Sequence, residues 1–251
     1  MSIWVLSDPH LAFGVPTKTM EAFGPTWLHY AEKIASHWIK MVSADDLVLI
    51  PGDISWAMHI EDALVDLKWI DALPGTKVIL RGNHDYWWSS ASKLAKIMPP
   101  SIHFIQNNTF VWNGVAIGGS RLWDTPEYSF NRYIEFRENP RARVKTPEDL
   151  GKEKEEDERI FVKELERLKL SLSQLPKETK LKIAMTHYPP IGADLAPSRA
   201  SQILEAFNID ICVFGHLHNV RPGSLPFGEA RGVKYIFASC DYLDFVPLKV
   251  L

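Results

Sequence analysis

The chain is 251 residues long, 46% hydrophobic and 24% charged, which is enough apolar content to bury a full core and excludes a disordered chain. A net charge of −3 offers no broad positive field, so nonspecific capture of nucleic-acid backbone is excluded. With only two cysteines, Cys212 and Cys240, each in an apolar run, there is neither a disulfide framework nor a thiolate metal site.

The first predicted element is a strand over residues 3–6. No basic region precedes it, and its apolar run is far too short for a signal sequence or a spanning helix, so a cytoplasmic protein without a transmembrane segment is expected. A helix over 27–42 follows, with Trp27, Ala31, Ile34, Trp38 and Met41 on one side, then a strand over 47–50. A second helix over 60–73 repeats the spacing at Leu64, Leu67 and Ile70 and stops at Pro74-Gly75. Strands are predicted at 77–80 and 115–117. The stretch 118–145, rich in aromatics and arginine, reads as an excursion over the surface. The longest helix starts at Thr146-Pro147-Glu148, a capping residue followed by proline, with Ile160, Phe161, Leu165, Leu168 and Leu172 on one side and a solvated charged run over 152–159. Strands over 181–185, 209–214 and 235–238 complete the chain. This alternation predicts layered α/β architecture, and the lack of repeats or linkers predicts one domain over 1–251.

Five of the nine histidines directly follow predicted strands, in the company of Asp or Asn. The motifs in order are Asp8-Pro9-His10, Gly52-Asp53, Gly82-Asn83-His84-Asp85, Thr186-His187 and Gly215-His216-Leu217-His218. In open α/β sheets, loops at the carboxyl ends of strands bind ligands. Asp-x-His alone arises by chance in about a quarter of chains of this length, whereas Gly-Asn-His-Asp arises in roughly one in a thousand. Isolated residues of these types at strand ends are usually caps or turn formers, but independent caps have no reason to place metal-ligand types after successive strands.

The ordered set resembles the calcineurin-like metallophosphoesterase family, whose pattern is Asp-x-His, Gly-Asp, Gly-Asn-His-Asp or Glu, a lone His, and Gly-His-x-His. The match runs from Asp8 to His218. The resemblance implies a four-layer αββα sandwich of two mixed β-sheets with a two-metal site at one edge. It also implies roles: Asp8, His10 and His218 on a first metal, Asn83, His187 and His216 on a second, and Asp53 bridging both. Imidazole and oxygen donors together favour manganese, iron or zinc, as two divalent or mixed-valence ions, over magnesium or calcium. Such a pair clamps a phosphoryl group and activates a shared water. His84 is then the expected general acid, with Asp85 expected to orient its ring and hold it protonated.

The implied substrate is a phosphomonoester or phosphodiester, its identity left open along with the oligomeric state. Gly52-Asp53-Ile54-Ser55-Trp56-Ala57 departs from the Gly-Asp-x-Val-Asp-Arg-Gly of phosphoprotein phosphatases of this superfamily. Bacterial enzymes that cleave the pyrophosphate of a diacylglucosamine nucleotide typically have Arg where His84 stands. A noncatalytic scaffold with this fold for protein binding is the competing reading, but such scaffolds tend to lose ligands or the histidine of Gly-Asn-His, and all are present here. Trp56, Trp87, Trp88 and Trp123 lie close enough to motif residues to border the cleft, or else pack the core. Arg81 and Arg121 offer forks for substrate phosphate or, equally, partners for surface carboxylates.

Overall fold

The computed structural model describes residues 1–135, 147–225 and 227–251. In chain order its elements are β1 (Ile3–Val5), α1 (Tyr30–Met41), β2 (Leu47–Ile50), α2 (Ile60–Ala72), β3 (Thr76–Leu80), α3 (Ala91–Ile97), β4 (Ile102–Ile105), β5 (Phe110–Trp112), β6 (Val115–Ser120), α4 (Pro147–Leu172), β7 (Leu181–Thr186), α5 (Arg199–Ala206), β8 (Ile211–Phe214), β9 (Glu229–Ala230), β10 (Val233–Phe237) and β11 (Leu248–Lys249). One sheet has the order β11-β1-β2-β3-β4 and the other β5-β6-β7-β8-β10-β9. β1 to β4 run parallel, as do β6, β7, β8 and β10; β5, β9 and β11 are antiparallel edges.

Strand periodicity sorts the side chains into three apolar layers. Ile3, Val5, Leu47, Leu49, Val78 and Leu80 of the first sheet face Ile117, Ile183, Met185, Ile211 and Val213 of the second, forming the central layer. The alternate residues Trp4, Val48, Ile50 and Ile79 point outward to meet Ile34 and Trp38 of α1 and Leu67 and Ile70 of α2. On the far side Ala184, Cys212 and Phe214 meet Phe161, Leu165, Leu168 and Leu172 of α4 and Leu204 of α5. Helix, sheet, sheet and helix therefore stack as the expected αββα sandwich.

Two boundaries differ from the sequence-based expectation. The first helix begins at Tyr30 rather than at Trp27, because Pro25–Trp27 forms a 3-10 turn and His29 adopts the left-handed conformation (φ 54°). Gly118, Gly119 and Ser120 continue β6 instead of opening the surface excursion, since each pairs with β7. The described part of that excursion folds back over the second sheet: Tyr128 donates to the Pro189 carbonyl (2.7 Å) and Ile134 bridges to Val220. Thr146 and the excursion beyond residue 135 lie outside the described residues. Among the described residues, no helix is long and apolar enough to cross a membrane.

Candidate metal centre

Because the paired strands run parallel, their carboxyl ends open on one edge, and every sequence motif lies there. Asp8 and His10 follow β1, Asp53 follows β2, Asn83 and His84 follow β3, His187 follows β7, and His216 and His218 follow β8. Asp8, His10, Asp53 and His216 have φ of 60°, 44°, 50° and 74°, a left-handed conformation that costs non-glycine residues about 1–3 kcal/mol and persists only where packing over-determines it. That packing is tight. A Cβ on Gly82 would sit 2.0 Å from Asp53 Oδ1, and one on Gly215 would sit 2.0 Å from Asp8 Oδ2.

The loops gather ligand atoms into two adjoining groups. In one, His10 Nε2 lies 3.0 Å from His218 Nε2, and Asp8 Oδ1 lies 3.9 Å from His218 Nε2. In the other, His187 Nε2 lies 2.7 Å from Asn83 Oδ1, which is 3.0 Å from His216 Nδ1. A single oxygen, Asp53 Oδ2, stands between them, 3.6 Å from His10 Nε2 and 3.5 Å from His187 Nε2. Sets of Asp8, His10 and His218, and of Asp8, Asp53 and His187, each bring their ligand atoms within 4.8 Å of one another.

His84 stands beside the groups and donates its backbone N–H to Asp53 Oδ1 at 2.8 Å. Its ring lies 4.5 Å from Trp56 and 5.7 Å from His10, and its Nδ1 is buried without a hydrogen-bond partner among the described residues. Asp85 does not orient that ring, contrary to the sequence-based expectation. Its carboxylate is fully buried under the loops, accepting from the N–H groups of Ile54, Ser55 and Gly82 and from Trp87 Nε1 at 2.8–3.2 Å. These donors hold the Asp53 and Asn83 loops together and use both oxygens.

Sequence reading missed the supporting residues after β10. Asp241 accepts from His218 Nδ1 and from the Asn219 N–H, both at 2.9 Å, which turns His218 Nε2 into the centre. Ser239 donates to Asp8 Oδ2 at 2.9 Å. Each lies in no motif, so only folding could bring it to notice. Among the tryptophans, Trp56 stacks on His10 at 5.0 Å, while Trp27, assigned from sequence to a helix face, packs edge-on to His218 at 5.6 Å. Tyr188 covers His216 at 3.9 Å. A cleft of about 370 Å³ lined by His216, Tyr188, Leu217, Trp123, Asp124 and Tyr128 opens beside them.

Burial dominates the electrostatics. It raises Asp53 well above the carboxylate range, helped by Asp85 and Asp8, and it lifts Asp8 to about 6. Burial also drives His10 and His187 well below the ordinary imidazole value and His216 down to about 3, so these rings are neutral at pH 7. At His218 burial is outweighed by Asp241, Asp8 and Asp53, and the ring titrates up at about 9. His187 Nδ1–H donates to the Pro51 carbonyl at 3.0 Å, so its Nε2 lone pair is turned towards Asn83 Oδ1. Converging lone pairs of imidazole and oxygen beside buried carboxylates are the surroundings a cation needs.

The sequence model of the calcineurin-like phosphoesterase family matches residues 1–220. The chain belongs to that family. Phosphoester hydrolysis is the general activity of calcineurin-like phosphoesterases, and divalent metals are their general means. Asp241 and Ser239 lie beyond the matched stretch. Among solved structures, the phosphopantetheinyl hydrolase of Mycobacterium tuberculosis aligns over 100% of this phosphoesterase and 95% of its own chain, with a TM-score of 0.50 at 15% identity. A protein of unknown function from Aquifex aeolicus aligns over 99% and 95%, with a TM-score of 0.48 at 17% identity. The first likeness speaks for the fold alone. No curated protein sequence matches the chain.

Proposed function

We propose that this phosphoesterase is a binuclear, metal-dependent hydrolase of a phosphomonoester or phosphodiester, working in the cytoplasm as one domain. The observation that carries the reading is the position of Asp53 Oδ2, 3.6 Å from His10 Nε2 and 3.5 Å from His187 Nε2. One carboxylate oxygen within reach of both ligand groups is what a bridged pair of cations requires. Asp8, His10 and His218 would hold one ion, Asn83, His187 and His216 the other, and Asp53 both.

Two such ions, when bound, supply Lewis acidity: they neutralise phosphoryl oxygens and bring the pKa of a shared water towards about 7. The chain's own residues do the rest. Asp241 and the Pro51 carbonyl fix the rings of His218 and His187, so their ligand nitrogens need no reorientation. His84 would hand a proton to the leaving oxygen. Its Nδ1 is buried, which leaves Nε2 as the nitrogen able to reach that oxygen. The cleft beside His216 and Tyr188 would seat the organic part of the ester, with the excursion after β6 as its wall.

The test is metal content by mass spectrometry on the purified chain, coupled to turnover of nitrophenyl phosphate and bis-nitrophenyl phosphate with added manganese. About two metals per chain with metal-dependent turnover is the expected result, and the preferred ester separates monoesterase from diesterase. A chain that takes up no metal and turns over neither ester would be a scaffold instead.

A further inference from the structure

On the same edge of the sandwich, a second cavity of about 350 Å³ lies between the ends of β3, β4 and β6 and the flank of α4. Its walls carry three arginines, Arg81 after β3, Arg121 after β6 and Arg167 on α4, against a single carboxylate, Glu164. Glu164 is only 3% exposed, and its Oε1 lies 2.6 Å from Arg167 Nη1 and 3.6 Å from Arg121 Nη2. Two guanidiniums thus share that anion, and Arg81 has no hydrogen bond or ion pair among the described residues. The Nε atoms of Arg81 and Arg121 are both buried without a partner there. Burial lowers the Arg121 pKa, and the like charge of Arg81 adds to this against the pull of Glu164, so the two guanidiniums are close enough to repel.

A partly buried guanidinium without a counter-ion, as at Arg81, is costly unless an anion meets it, and the planar guanidinium fork matches phosphate oxygens in pairs. The cavity keeps an excess of two positive charges, which a dianionic phosphate group balances. The volume exceeds that of a bare phosphate, and Trp88 and Ile105 provide apolar wall, so the ligand is a phosphate carried on an organic body. Position narrows it further. The Arg121 carbonyl accepts from the backbone N–H groups of His187 (3.2 Å) and Tyr188 (3.0 Å), and Arg81 stands two residues before Asn83. β6 adjoins β7 in its sheet, and neighbouring strands lie about 4.8 Å apart, so the cavity borders the loops that carry Asn83 and His187.

We infer that the cavity holds a second phosphate group of the substrate, which therefore carries a phosphate besides the one cleaved. The identity of that molecule rests on the phosphoesterase reading above; the anion site does not. Calorimetric titration of the full chain with inorganic phosphate in the presence of chelator reads the cavity alone. One saturable site, weakened at least tenfold in Arg81→Gln and also in Ser90→Glu, which puts a carboxylate at the exposed rim, is expected. No saturable binding, or equal binding in both variants, overturns the site. Replacing Arg81 breaks no hydrogen bond or ion pair among the described residues, and Ser90→Glu supplies the answer if Arg81→Gln fails to fold.

The manganese-loaded chain is then given nucleoside and sugar bisphosphates alongside the corresponding monophosphates. A bisphosphate should exceed its monophosphate at least tenfold in kcat/KM, through KM, with the gap narrowed in Arg81→Gln. Turnover without such a gap refutes the second phosphate while sparing the phosphoesterase reading. No turnover on any ester refutes that reading and the substrate assignment with it, while the phosphate titration still decides the cavity.

Discussion

In Asp53 a buried carboxylate faces Asp85 and Asp8, and its pKa stands well above the ordinary range, first through burial and then through those neighbours. A raised folded pKa means that the ionised form is penalised at neutral pH, so the metal-free fold gains stability as pH falls through that value. Asp53→Asn keeps an oxygen for the His84 N–H and removes the charge. The metal-free variant should therefore melt higher than the parent at pH 7.5, by about 2–4 °C for each kcal/mol relieved, and the advantage should shrink on acidification. With manganese the order should reverse, because the parent gains a bridged pair and the variant does not. Melting curves in chelator and in metal test both halves, and a variant that gains as much from metal as the parent refutes the bridge. His84 makes a separate prediction. If it protonates the leaving oxygen, His84→Ala should slow alkyl phosphates by about 10²–10⁴-fold and nitrophenyl phosphate by far less, since nitrophenolate leaves without help. Equal losses on both would remove His84 from that role.

Parallel strands deliver the candidate ligands to one edge, but the loops reach one another only because glycines sit where they touch. A Cβ on Gly215 would lie 2.0 Å from Asp8 Oδ2 and 2.2 Å from Ser7 Oγ, inside any tolerable contact. Gly215→Ala should therefore cost about 1–3 kcal/mol and lower metal occupancy, even though it replaces no ligand. Metal content and melting of that variant check it together, and full occupancy would show that the loops can part. The same elements show what was legible in sequence. β1, β2, β3, β7 and β8 could be read because their apolar runs end in turn residues. By contrast, β5, β9 and β11 are two or three residues long and exist only through pairing, and β4 hides behind the polar His103. α5 is short, and its capping box closes with Ser201 in place of an acidic residue. That the candidate ligands gather at one edge was legible because each motif directly follows a predicted strand. The roles of Asp85 and Asp241 were not, since an Asp beside one histidine in sequence turned out to serve backbone amides, and an Asp 23 residues from His218 serves its ring.

At the scale of the whole molecule, the first sheet supplies Asp8, His10, Asp53 and Asn83 while the second supplies His187, His216, His218 and Asp241, so any cation held there ties the two sheets together. Metal should then act as a folding ligand, raising the melting temperature by mass action. Its pH dependence follows from His218. Burial works against the charged ring, but Asp241 and the two centre carboxylates hold its pKa up at about 9, above the unfolded value near 6.5. Because the folded pKa is raised, the stabilisation from the protonated ring is fully present below about pH 6.5 and is lost as pH rises through about 9. A proton on Nε2, which points at His10 Nε2 3.0 Å away, competes directly with a cation for that position. Metal must displace it, so manganese affinity should rise by up to tenfold per pH unit between about 6.5 and 9, worth about 1.4 kcal/mol per unit. Asp241→Asn can still accept from Nδ1 yet no longer supports the charge. In that variant the ring should titrate closer to its ordinary value, and the rising limb should move to lower pH and flatten above 7.5. Manganese-induced shifts in melting temperature at pH 6.5, 7.5 and 8.5, taken on both proteins, separate the possibilities. A parent response that is flat across this window, or an identical slope in Asp241→Asn, would mean that the His218 proton is not what the metal displaces.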